Sequence, residues 1–104
     1  MSDPATIPPS PEEDDNFPLP PPTFEFLALS LRTQAEVHMG LLRLGGENES
    51  PPNARLARHT IDMMAMLHEK TRGNLSLEEQ RLLENSLTEL RFRFVQQFDK
   101  PGPA

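Results

Sequence analysis

From Phe24 onward, apolar residues recur at three- and four-residue intervals, the rhythm of an α-helix. Pro22 and Thr23 supply a stop and an N-cap candidate, and the pattern predicts helix 1 over 24–43. At about 100° per residue, Phe24, Leu27, Ala28, Leu31, Ala35, Met39 and Leu42 fall on one stripe. Phe26, Val37, Leu41 and Leu44 form a second stripe beside it, so the apolar arc is wider than a single covered face needs. Glu25, Arg32, Thr33, Glu36 and Arg43 mark the wet side.

The run Gly45-Gly46-Glu47-Asn48-Glu49-Ser50-Pro51-Pro52 breaks the helix, and Asn53 is placed to cap the next. Helix 2 is expected over 54–72, with Leu56, Ala57, Thr60, Ile61, Met63, Met64, Leu67 and Thr71 inward and the methionines serving as core filling. Gly73 suits a left-handed C′ position, and Ser76 with Glu79 reads as a capping box. Helix 3 is expected over 77–98, where Leu83, Leu87, Leu90, Phe94 and Phe98 make one stripe while Phe92 projects the other way. A junction of about four residues makes helices 2 and 3 an antiparallel hairpin, in an all-α bundle of three rods of about 20 residues each.

Composition separates this body from its ends. Eight of the 12 prolines lie in residues 1–22, together with Asp3, Glu12, Glu13, Asp14 and Asp15 and no base. That stretch carries −5 of the formal −6, and with so few apolar residues it is expected to be a disordered tail. Its two PxxP spacings, Pro8 to Pro11 and Pro18 to Pro21, suit polyproline II, although no Arg or Lys flanks them. Residues 23–99 then form a single helical domain and 100–104 a short disordered end. A nearly neutral body argues against nucleic acid as a partner. Zero cysteine excludes disulfides, zinc ribbons and thiol chemistry. The first residues lack a signal peptide and no apolar run is long enough for a membrane span, so the expected location is the cytoplasm.

Candidate chemistry is sparse. His59 and Asp62 are an i, i+3 pair, but two ligands do not make a metal site. Ser30, Thr60 and Ser86 lie inside helices without a nucleophile's frame, and Glu78-Glu79 occupy a first turn where acids serve the helix dipole. No cofactor is expected. The residues that invite interaction are the second stripe of helix 1 with the outward aromatic: Phe26, Val37, Leu41 and Phe92.

The string from Ile61 to Ser76, with Lys70-Thr71-Arg72-Gly73-Asn74-Leu75 at its centre, resembles a bacterial family catalogued as domain of unknown function 1844. Phe26 to Leu31, Gln34 to Val37 and Gly40 resemble its first helix, and Glu79, Leu82-Leu83, Leu87 and Glu89 to Val95 its last, over about residues 24–96. The resemblance implies a small, cytoplasmic, mostly helical protein and transfers no catalytic residue. Lys70, Thr71, Gly73, Asn74, Ser76 and Glu79 read as a structural junction, while Asp62, Lys70, Asn74 and Arg91 are the alternative, a polar functional patch. The leading expectation is a non-enzymatic protein-binding module that pairs as a homodimer. The runner-up is RNA or ribosome binding through Arg55, Arg58, Arg72, Arg81, Arg91 and Arg93, and a cryptic enzyme is third.

Overall fold

The computed structural model describes residues 17–42 and 51–98. Among them the regular elements are three α-helices, α1 (Phe24–His38), α2 (Ala54–Lys70) and α3 (Leu77–Phe98). Residues 17–22 precede α1 outside any helix and exposed. The tail expectation for residues 1–16, the position of Leu44 and the end beyond residue 98 lie outside the described residues.

The helix starts follow the side chains that cap them. Thr23, in extended backbone, accepts the Phe26 N–H on Oγ1 at 3.0 Å. Asn53 does the same for Leu56 through Oδ1 at 3.0 Å. At α3 the box closes in both directions: Glu79 N–H donates to Ser76 Oγ (3.1 Å) and Ser76 N–H donates to Glu79 Oε1 (2.8 Å). Each cap satisfies an amide that the first turn leaves without a partner.

The helix ends correct the sequence reading. α1 stops at His38, five residues before the expected 43, because Gly40 takes φ +79°. Gly40 N–H then bonds Val37 O (3.0 Å) and Leu41 N–H bonds Glu36 O (2.9 Å), the paired bonds of a Schellman ending. The leucines after the glycine had extended the apparent periodicity. Leu41 and Leu42 therefore lie past the helix, both exposed, and belong to neither stripe. α2 ends at Lys70 rather than 72, with Thr71 as its cap. Gly73 does have positive φ (+83°), but as the third residue of a turn closed by Asn74 N–H to Thr71 O (2.9 Å), where glycine is favoured. The three rods are accordingly unequal, at 15, 17 and 22 residues.

Cross-helix contacts set the directions. His68 of α2 meets Glu84 of α3, and Arg58, ten residues earlier in α2, lies over the ring of Phe94, ten residues later in α3. The pair is thus antiparallel. α1 hands over to α2 at a pinned corner, where Asn53 N–H donates to His38 O at 2.7 Å and Gly40 lies against Pro52. Arg32 ties α1 to α3, donating to Glu89 Oε1 at 3.0 Å while its Nε lies 3.5 Å from Glu36; Arg93 also bonds Glu89.

The core is Ala28, Ala35 and Met39 from α1 and its cap, Ala57, Ile61 and Met64 from α2, and Leu83, Leu87 and Leu90 from α3, with Thr60 and Ser86 buried among them. Phe94 and Phe98 pack on its edge, ring centroids 4.9 Å apart and tilted. Small residues at these positions let helix axes approach closely. Several large side chains expected inside are half-exposed instead: Leu27 on α1, and Leu56 and Met63 on α2. Met64 fills the core, whereas Met63 and Met66 do not.

Candidate functional site

The side chains singled out for interaction separate into two regions. Phe26 is 47% exposed on α1, with Leu29 near it in helical angle and the half-buried Val37 three turns on. This outer face lies opposite Ala28 and Ala35, which point into the core. Leu41 follows beyond the Schellman ending. Phe92 is 62% exposed on α3, pointing away from the buried Leu83, Leu87 and Leu90. The structure thus places Phe26 and Phe92 on the outer sides of different helices, not on one stripe.

The proposed polar patch also divides. Asp62 and Arg91 meet across an open cleft between α2 and α3, of about 240 Å³, lined by Arg58, Ile61, Asp62, Arg91, Phe94 and Val95. Lys70 stands two turns further along α2, about 12 Å from Asp62 at 1.5 Å per residue, and Asn74 lies in the hairpin turn. Both belong to the junction. There Thr71 Oγ1 bonds Leu67 O (2.8 Å), the Asn74 backbone N–H closes the turn on Thr71 O (2.9 Å), and the Ser76–Glu79 box opens α3.

Within the cleft the Arg58 guanidinium carbon stands 5.2 Å from the Phe94 ring centroid, a cation–π distance. A cation–π contact draws on the charge of the guanidinium and uses none of its N–H donors. Among the described residues neither Arg58 nor Arg91 is ion-paired. By contrast Arg72 is held by Glu69 at 3.0 Å and Arg93 by Glu89 at 3.1 Å. The cleft is smaller than most small-molecule pockets, which run to about 300–1,000 Å³.

Sequence reasoning missed two pairings. Arg58 with Phe94, and His68 with Glu84, each lie equidistant from Ser76, so counting outward from the hairpin was the signal that could have found them. His68 Nε2 lies 2.9 Å from Glu84 Oε2; an ionised carboxylate only accepts, so the ring donates. Gln80 adds a second donor at 3.1 Å. The His68 and Gln80 hydrogen bonds hold the Glu84 carboxyl below its usual range, against a smaller opposing effect of partial desolvation. His59 and Asp62 gain no third ligand: among the described residues no three His, Asp or Glu side chains converge.

A family model described as "Domain of unknown function (DUF1844)" matches residues 21–96. The chain belongs to this family. The domain of unknown function 1844 thus takes in α1, α2 and all but the last two residues of α3, including the junction and the cleft, whereas the acidic run Glu12–Asp15 precedes it. No curated protein and no solved structure matches the chain. No described helix is long and apolar enough to cross a membrane.

Proposed function

We propose that the protein is a non-enzymatic, cytoplasmic interaction module that pairs with a second copy of itself. The observation that carries this reading is an inversion of size: small residues fill much of the core, while Phe26, Leu27 and Leu29 on α1 and Leu56, Met63 and Met66 on α2 are all more than two-fifths exposed. One face of α1 measures about 22 Å by 10 Å, well short of the roughly 800 Å² per partner of a standard interface. An interface drawing on both α1 and α2 comes closer to that requirement, and both helices carry the apolar residues it needs. Light scattering during size exclusion should give about twice 11.8 kDa at micromolar concentration. A strict monomer there would sink the proposal.

A further inference from the structure

The geometry points to the α2–α3 cleft as the docking site for this chain's own N-terminal segment, with Glu12–Asp15 on Arg58 and Arg91 and Ile7–Pro11 against the apolar floor. Three observations meet here. The first is charge complementarity. Residues 1–16 carry five carboxylates and no base, and the body closest to neutrality nevertheless presents two arginines at one cleft. Among the described residues their guanidinium groups have no carboxylate partner, whereas Arg32, Arg72 and Arg93 are paired with glutamates. The first turn of α2, which leads into the cleft, also has no acid to offset its dipole, unlike those of α1 and α3.

The second is shape. Ile61, Phe94 and Val95 give the cleft an apolar lining with an aromatic ring, and the Arg58 guanidinium carbon stands over that ring, 5.2 Å from its centroid. Aromatic-floored grooves accept polyproline II segments, whose fixed φ lowers the ordering cost. Ile7-Pro8-Pro9-Ser10-Pro11 has that composition. Proline ligands flanked by basic residues dock beside acids; here the flanking residues are acids and the cleft supplies the bases.

The third is reach. α1 runs back along α2, so the chain upstream of Thr23 leaves near the Lys70 end, and Arg58–Asp62 lie eight to twelve residues down α2, about 12–18 Å along the axis. Eight residues from Asp15 to Thr23 span up to about 26 Å when extended, and the sixteen from Ile7 about twice that. An intramolecular contact of this length enjoys a high effective concentration. Asp62 is the one cleft residue that opposes an acidic occupant, which gives the inference an internal control.

The chain has no cysteine, so Ser10→Cys in the full-length protein accepts a single spin label. Paramagnetic broadening is expected at the amides of 58–62 and 91–95. It should disappear in the Arg58→Glu/Arg91→Glu variant and in about 1 M salt, where the screening length is about 3 Å. Neutralising the tail (Glu12→Gln, Glu13→Gln, Asp14→Asn, Asp15→Asn) leaves the folded body untouched and should abolish it too, whereas Asp62→Asn should strengthen it. Absence of broadening at low salt, or broadening indifferent to the charge changes in the tail, overturns the inference. A mixture of spin-labelled and isotope-labelled chains supplies the remaining arm: broadening there places the segment on a second copy and overturns the intramolecular assignment.

Discussion

Thr60 and Ser86 are both buried hydroxyl residues in helices, yet only one is satisfied. Thr60 Oγ1 donates to Leu56 O at 3.1 Å, while Ser86 Oγ, fully enclosed in α3, has no partner. An unmet buried hydroxyl costs about 1–3 kcal/mol, and alanine removes it with almost no change in shape. Ser86→Ala should therefore raise Tm by several degrees, since about 1 kcal/mol corresponds to about 4–8 °C in a domain of this size. Thr60→Ala should lower it, because a bonded hydroxyl and a buried methyl are both lost; thermal melts of the two variants check the contrast. Glu84 governs a pH effect at the same scale. Its carboxyl binds a proton less readily when folded than when unfolded, so the stability it contributes is complete above its usual pKa of 4.5 and is lost as pH falls through the lowered folded value. Glu84→Gln should flatten the decline in the urea midpoint below about pH 4.5 while leaving its behaviour near neutrality much as before.

At the scale of elements, two glycines with similar backbone angles have different surroundings. A Cβ at Gly40 would come within 2.7 Å of Pro52 Cγ, whereas one at Gly73 would meet nothing within 4 Å. Gly73→Ala should cost only the left-handed conformation, about 1–2 kcal/mol, and Gly40→Ala clearly more, as measured by denaturant unfolding. The same pair explains what the sequence made legible. Local chemistry was readable: Thr23, Asn53 and the Ser76–Glu79 box each start a helix where expected, and the α3 boundaries agree with the structure. The end of α1 was not, because Leu41, Leu42 and Leu44 continue an apolar rhythm and nothing local says that Gly40 must meet Pro52. Periodicity likewise placed Leu56 and Met63 on a buried face, since it measures the angle of a side chain but not the width of the neighbour that covers it. For the cleft, Asp62 and Arg91 were named from sequence, but their separation from Lys70 and Asn74 depends on the antiparallel register.

At the scale of the molecule, the proposed self-association can be assigned to a face. If copies pair through α1 and α2, Phe26→Asp should convert a dimer to a monomer, while Phe92→Asp, on the far side of α3, should leave the mass by light scattering unchanged. The opposite result would move the interface to α3. Association of this kind suits a small body whose three helices cannot hide all their large apolar side chains.

The pinned corner between α1 and α2 bears on how the connection could be altered. With Asn53 N–H on His38 O at 2.7 Å and Pro52 against Gly40, the two ends of the connection already touch, and the stretch between them need not hold them together by its length. Inserting a flexible Gly-Ser segment between residues 46 and 47 should then cost only closure entropy, about 0.6 kcal/mol for each doubling of the loop. The corner thus frees the connection between its two sides to carry a reporter peptide with little loss of Tm.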